Sequence, residues 1–272
     1  MSLIDNQDEL KELLLQGEQP AFFFTEQGII TELKSSNALF PLLQTAEKLQ
    51  FKIETAHHDR EILVVKGSSV LDETVLHSMG YTLCPVRVFL NQSVNEIQAK
   101  ILRAYHWLNW DSHTRFCGRC GLPLIGAFNV LEKRCNQCDL TLFPKASPAV
   151  MVLLHRGDEL LLARSPHFQP GVYSAIAGFV EIGESAEEAA KREVNEELGL
   201  TITGLQYFAS QTWPFPDSFM MAFTSEAPEG DLVIDTSELE DARWFSINDL
   251  PNLPSQASIS RKLIESLIKR SR

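Results

Sequence analysis

The chain has 272 residues, 44% hydrophobic and 22% charged, the balance of a folded protein long enough for two cores. Its formal charge of −12 disfavours non-specific adhesion to nucleic acid or to an anionic membrane. No apolar run is long enough to span a bilayer, and MSLIDNQDEL lacks the basic-then-apolar pattern of a secretion signal.

The expectation is therefore a cytoplasmic protein with no membrane partner, and the terminal Lys269-Arg-Ser-Arg272 is not a peroxisomal address. An acidic protein that handles a polyanion needs bound cations or a local basic patch to offset the repulsion.

Residues 1–112 read as a mixed α/β accessory domain. AFFFTEQG (21–28) and EILVVKG (61–67) have the composition of strands, each ended by a turn glycine. Residues 93–110 read as a helix. Ser93 and Glu96 form a capping-box pattern, and Val94, Ile97, Ile101, Tyr105 and Leu108 recur at helical spacing. Cys84, next to Pro85, reads as a small buried side chain. No catalytic constellation is visible here.

Residues 113–145 hold the other four cysteines, as Cys117-x-x-Cys120 and Cys135-x-x-Cys138 with fourteen residues between the pairs. Without a secretion signal, such pairs point to metal rather than to disulfides. Four thiolates complete a tetrahedral Zn²⁺ shell and leave no position for water, which predicts a structural zinc. Gly121 and Asp139, just after each pair, suit the tight turns required. A redox dithiol and a nucleic-acid-binding ribbon are the competing readings. Arg115, Arg119, Lys133 and Arg134 serve the latter, or are solvated flanks.

From Pro148 the pattern becomes strand, turn, strand: AVMVLLHR (149–156), Gly157-Asp158, then ELLLAR (159–164). A loop, a helix and further strands follow, then an amphipathic helix over 258–270 with Ile259, Leu263 and Leu267 on one stripe. Within this region, residues 178–200 are the most informative. Ser185 and Glu188 form a capping box that starts a helix near Ala186, and Gly199 ends it. Ala190, Val194 and Leu198 form its buried stripe. Glu193, Glu196 and Glu197, at i, i+3 and i+4, share another face. Such a cluster is either a solvated acidic surface or a divalent-cation site, and oxygen ligands of this kind suit Mg²⁺ or Mn²⁺. Arg192 can pair with a carboxylate and hold the glycine-rich loop against the helix.

The segment from Gly178 to Leu200 resembles the Nudix box, G-x5-E-x7-R-E-U-x-E-E-x-G-U with U aliphatic, at every defined position. The resemblance implies an α+β protein with a C-terminal Nudix α/β/α sandwich (146–272), a central zinc ribbon (113–145) and the N-terminal mixed α/β domain (1–112). It also implies that Glu193 and Glu197 bind the catalytic metal, with Glu196 beside them and the Ala177 backbone carbonyl as a further ligand. Glu184 and Arg192 become an ion pair that fixes the loop. Glu197 is the expected activator of water, with Glu193 and Glu196 in the same catalytic group.

Beyond the box lies Ser210-Gln211-Thr212-Trp213-Pro214-Phe215-Pro216-Asp217-Ser218. Two prolines alternating with two aromatics cannot continue a central strand and predict a rigid loop with flat apolar surfaces. Such a loop stacks on a heterocycle, packs into the core or forms a dimer contact. The segment resembles the S-Q-P-W-P-F-P-x-S array of the NADH pyrophosphatase branch of the Nudix family, with Thr212 in place of proline. Four cysteines ahead of the box are also that branch's layout.

That branch implies a dinucleotide pocket lined by Gln211, Thr212, Trp213, Pro214, Phe215, Pro216, Asp217 and Ser218, with Phe179 stacking on a base. Glu238 corresponds to an additional metal carboxylate, Ser260 to a backbone contact with substrate, and Arg87 to an arginine that reaches a phosphate. Phe143 stands where a substrate-binding tyrosine is common, and Val130 near an acidic contact that is missing here. The branch further implies a homodimer and a dinucleotide substrate: hydrolysis of NADH or NAD⁺ to NMN(H) and AMP with Mg²⁺ or Mn²⁺, and removal of NAD caps from RNA. Two alternatives stand beside it. One is a broader diphosphatase acting on ADP-ribose, nucleotide sugars or dinucleoside polyphosphates. The other is a non-catalytic nucleotide- or RNA-binding protein.

Overall fold

A computed structural model of the chain describes residues 21–33, 49, 51–59, 62–69, 72–93, 95–127 and 130–270. The chain divides into two compact units, Met1–Lys145 and Ala146–Arg272. Among the described residues, no helix is long and apolar enough to cross a membrane. The architecture is α+β.

The first unit opens with β1 (Ala21–Thr25) and β2 (Gly28–Glu32), followed by β3 (Phe51–Asp59) and β4 (Ile62–Ser69). Helix α1 (Glu73–Ser78), β5 (Tyr81–Cys84), helix α2 (Val86–Gln92) and helix α3 (Asn95–His113) come next. The five strands form one sheet in the order β3-β4-β1-β2-β5, with β1 parallel to β4 and the other pairs antiparallel. Phe22, Phe23 and Phe24 are consecutive and all buried, because β1 is central and covered on both faces. Phe23 packs with Ile30, Leu63 and Val65 on one face, while Phe24 lies 5.9 Å from the Tyr105 ring of α3.

Neither glycine does what the sequence pattern suggests. Gly28 opens β2, and a Cβ there would sit 2.2 Å from the Cys84 carbonyl oxygen of β5, so close strand approach dictates it. Gly67 lies inside β4, paired with Ile53. The helix over 93–110 is present as α3, although Val94 lies outside the described residues, as does Glu61 of the second strand segment. Ser93 does not start that helix: its hydroxyl donates to Phe89 O and closes α2. Burial on α3 exceeds a single stripe and takes in Leu102, Ala104, Trp107 and Trp110.

A small three-stranded sheet completes this unit: β6 (Ile125–Ala127), β7 (Val130–Arg134) and β8 (Thr141–Leu142). Lys133 fastens it to α3. Its buried ammonium donates to Asp111 O (2.6 Å) and Thr114 O (2.9 Å) and pairs with Asp111 Oδ1 at 2.8 Å. Lys133 is therefore part of the packing and not a solvated flank.

The second unit is built on β9 (Ser147–Arg156), β10 (Glu159–Arg164), β11 (Ile176–Phe179), helix α4 (Ala186–Leu198), β12 (Gln206–Trp213), β13 (Ser218–Glu226), β14 (Asp241–Ser246) and helix α5 (Ile259–Arg270). The mixed sheet runs β12-β13-β9-β10-β14, with β11 paired to β9. β9 is its axis, parallel to β13 along nearly its whole length and antiparallel to β10 and β11. Alternate residues of β9 point to opposite faces. Val150, Val152 and Leu154 pack with Ala189, Ala190, Val194 and Leu198 of α4. Ala149, Met151 and Leu153 pack with Ile259, Leu263, Ile264 and Leu267 of α5. One helix covers each face, which makes the unit a sandwich.

Candidate active site and cysteine cluster

The local sequence sets where α4 begins and ends. Ser185 Oγ accepts from Glu188 N (3.2 Å), and Glu188 Oε2 accepts from Ser185 N (2.8 Å). Gly199 stops the helix in a left-handed conformation (φ 69°) that costs other residues energy. The loop before the helix is closed by Glu184, whose Oε2 accepts from Glu181 N at 2.9 Å. Arg192 binds both Glu184 oxygens (2.6 and 2.9 Å) and donates to Phe179 O (2.9 Å), so the guanidinium ties strand, loop and helix together. That guanidinium holds the Glu184 carboxyl down to about 2.

The three helical glutamates separate into two environments. At about 100° per residue, Glu193 and Glu197 differ by roughly 40°, while Glu196 lies to the other side of Glu193. Glu193 and Glu197 are buried, and each can bring a carboxylate oxygen within 4.8 Å of the others and of Glu238. Glu196 is exposed and accepts from Arg192 Nη1 at 2.9 Å, outside that group. Gly178 explains how Glu193 fits: a Cβ on Gly178 would lie 1.9 Å from the Glu193 carboxylate. The glycine thus leaves a recess that the carboxylate fills, next to the exposed Ala177.

Electrostatics separate the members further. Burial, and then the charges of Glu193, Glu238, Asp235 and Glu196, push the Glu197 carboxyl up to about 8. Burial also raises Glu193, although Arg192 Nη1 donates to it at 2.9 Å. Glu197 Oε2 is buried with no hydrogen-bond partner. Converging carboxylates around an orphaned buried oxygen fit a hard divalent cation, and Glu193, Glu197 and Glu238 are the residues that would hold it.

The register distributes the other expected site residues. Phe179 pairs with Ala149, Ala149 with Met220, and Met220 with Gln211, so Phe179 and Gln211 share one row on the α5 face. Trp213 packs on that same face, whereas Thr212 pairs with Phe219 and faces the α4 side. The expected loop is shorter than the motif. Ser210 to Trp213 belong to β12, and both prolines fall after it, in the turn Pro214–Asp217. Trp213 and Phe215 meet edge-on at 5.2 Å, Pro214 and Ser218 are buried, and Pro216 is exposed. Asp217 O accepts from Ser147 N.

Gln211 holds the start of α5. Its Nε2 donates to Ala257 O (2.8 Å) and its Oε1 accepts from Ile259 N (2.7 Å). Ser260 is buried, its hydroxyl 2.7 Å from that of Ser174. Arg87 and Phe143 belong to the first unit and are both exposed.

In the first unit the four cysteines converge. Cys117 N donates to Leu122 O and Gly121 N to Cys117 O; Cys135 N donates to Leu140 O and Asp139 N to Cys135 O. The two turns repeat one another, each with a positive-φ residue, Gly121 (75°) and Asp139 (54°). None of the cysteines is in a disulfide. Cys120–Cys135, Cys117–Cys138 and Cys120–Cys138 sulfur separations are 3.4, 3.5 and 3.8 Å. A tetrahedral zinc with bonds of about 2.3 Å requires sulfur–sulfur edges of about 3.8 Å, so the donor set fits that ion. Backbone amides lower the Cys117 thiol to about 6 and also lower Cys135, while the adjacent Cys135 sulfur pushes Cys120 up to about 12.

Residues 145–267 match the model of the NUDIX domain. A protein from Pseudomonas syringae pv. tomato, named NAD-capped RNA hydrolase NudC, is 40% identical over 246 residues, covering 89% of this chain and 86% of the relative. The chain belongs to the Nudix hydrolases. Within that family its similarity is to the NudC proteins. The Pseudomonas aeruginosa (strain LESB58) protein of the same name is 50% identical over 161 residues. That match covers 59% of this chain and spans 58% of the relative's length. A Chromobacterium violaceum relative, also so named, is 47% identical over 189 residues, 69% of this chain and 71% of its own. The segment read as a Nudix box, residues 178–200, lies inside the matched domain.

Two contributors escaped the sequence reading. Asp235 organises the turn before Glu238 and left a signal in Asp-Thr-Ser, a pattern that favours side-chain-closed turns. Ser174, the partner of Ser260, left none.

Proposed function

We propose that this Nudix hydrolase cleaves the diphosphate bond of NADH or NAD⁺ to NMN(H) and AMP. The observation that carries the reading is the buried Glu197 carboxyl converging with Glu193 and Glu238 beside the Gly178 recess. Mg²⁺ or Mn²⁺, when bound there, supplies Lewis acidity and a water of lowered pKa. Glu197, the expected activator of water, would accept the water's proton as the water oxygen bonds to phosphorus and the bridging P–O bond to the leaving phosphate breaks. Arg192 keeps Glu193 and the loop in place throughout. On the other face, Phe179 and Trp213 offer rings to the bases, and the start of α5 at Ser260 offers backbone groups. Gln211 acts by holding that start, while Thr212 to Ser218 border the pocket.

Ala177 carries a metal-facing carbonyl in this reading, and Glu196 serves through Arg192. Arg87 and Phe143 are proposed substrate contacts, and the protein is proposed to be a cytoplasmic homodimer with structural zinc at Cys117, Cys120, Cys135 and Cys138. The domain limits 1–112, 113–145 and 146–272 are part of the same proposal. The NudC relatives are named NAD-capped RNA hydrolases, which supports NAD-capped RNA as a second substrate.

Chromatography of NADH incubated with protein and Mn²⁺ tests the proposal, the expected products being NMNH and AMP in equal amounts. Intact NADH alongside cleaved ADP-ribose or nucleotide sugars would assign the chain to the broader diphosphatases instead.

A further inference from the structure

Glu238 is exposed and lies in an irregular segment between β13 and β14, yet it must meet two buried glutamates of α4. A long exposed side chain on a loop loses conformational freedom when fixed, so something must predispose it. Two backbone bonds tie the segment to the C-terminal end of α4: Val233 N donates to Leu198 O (2.9 Å), and Asp235 N donates to Glu197 O (3.0 Å). The second bond fastens Asp235 to the backbone of a proposed ligand. From there, Asp235 Oδ1 accepts from Ser237 N (2.8 Å) and from Ser237 Oγ (2.7 Å). Asp235 O accepts from Leu239 N (3.0 Å) and Glu238 N (3.3 Å). Leu239 anchors the far side of the turn in the α4 core.

We propose that Asp235 is the positioning residue for Glu238. It is joined through its amide to Glu197 and through its carboxylate to the one turn that carries Glu238. The arrangement resembles the outer-shell bonds that orient metal ligands in general, whose loss weakens metal binding by about 10–100-fold. Asp235 is not among the converging carboxylates itself. Beside the charge it places near Glu197, its positioning of Glu238 runs through hydrogen bonding at Oδ1, which an asparagine carbonyl can reproduce and an alanine cannot. The inference rests on the cation-binding reading of Glu193, Glu197 and Glu238.

The test is titration calorimetry of Mn²⁺ into the full chain, together with the Mn²⁺ dependence of NADH hydrolysis. Asp235→Ala is expected to raise the Mn²⁺ Kd about 10-fold while kcat at saturating Mn²⁺ changes less than about 2-fold. Asp235→Asn should stay within about 2-fold of wild type, and Ser237→Ala, which removes one of the two side-chain bonds, should fall between them. In a Glu238→Gln background, Asp235→Ala should add almost nothing, because the residue it positions no longer ligates. Wild-type affinity in Asp235→Ala overturns the inference, as does Asp235→Asn binding as weakly as the alanine variant, which would assign the effect to charge or direct ligation. If Asp235→Ala does not fold, the other two variants decide: weaker binding in Ser237→Ala beside normal binding in Asp235→Asn supports it, and unchanged binding in both overturns it. No Mn²⁺ uptake by wild type would overturn the cation site and this inference together; normal uptake with an unaffected alanine variant overturns this inference alone.

Discussion

Replacing Glu197 with glutamine should stabilise the cation-free protein while abolishing its response to cation. The carboxyl sits at about 8 in the folded chain against a reference of 4.5. A carboxyl raised by folding favours the folded state fully below its unfolded value, and that contribution is lost as pH rises through the folded value. Stability should therefore fall from about pH 4.5 to about pH 8 when no cation is present. Near pH 8 the linkage approaches 3 to 3.5 units, a ceiling of ~4–5 kcal/mol. With about half of that surviving relaxation, Glu197→Gln gains ~2 kcal/mol, or roughly 6–10 °C in Tm for a unit of this size. Glutamine can donate to the Glu193 and Glu238 carboxylates, so the swap leaves no new orphan. Thermal unfolding in EDTA at about pH 8 and about pH 4.5, then with Mn²⁺, reads the effect. The variant should melt higher in EDTA at pH 8 and alike at pH 4.5. With Mn²⁺ at about 100 times Kd the order should reverse, since wild type alone gains ~2.7 kcal/mol of binding linkage. A variant that melts at or below wild type in EDTA at pH 8 would refute the account of a crowded, cation-requiring carboxyl.

Gly178→Ala should leave the fold nearly intact but displace Glu193, because the new methyl meets the carboxylate end of that side chain and not backbone. The Mn²⁺ concentration for half-maximal turnover is expected to rise at least ~10-fold, and an unchanged value would show that Glu193 is not a ligand. Cys117→Ser should reduce bound zinc from one per chain toward none by elemental analysis. It should also destabilise the first unit by several kcal/mol, the scale of losing a structural metal; a full-strength fold without metal would remove zinc from the architecture.

How much was legible depended on whether a position is governed by local or by long-range constraints. The ends of α4 were readable because capping by Ser185, Glu188 and Gly199 is completed within a few residues. The paired cysteine turns were readable for the same reason. Gly28 and Gly178 were misassigned or left unexplained because the atoms that forbid a side chain, Cys84 O and the Glu193 carboxylate, belong to distant elements. The prolines after Trp213 concealed a strand because they lie in the turn, and how far β12 extends before them is set by its pairing with β13. Helical arithmetic placed Glu196 with its neighbours, but the competition of Arg192 for that carboxylate is settled only once the loop has closed. Gln211 sat inside a motif read as substrate-lining, whereas both ends of its amide are committed to the first turn of α5.

Gly178 and Phe179 are neighbours in sequence, yet they serve opposite sides of the sheet, one under the acidic helix and the other in the aromatic row. In the proposed function, the split between cation binding and base stacking is thus a matter of odd and even positions along four residues of β11. An insertion of a single residue after Ala177 would place a side chain where Gly178 leaves room for Glu193 and would turn the glycine to the opposite face. Length in this stretch should consequently be less negotiable than identity, and evolution has room to alter which ring is displayed but not to shift its count.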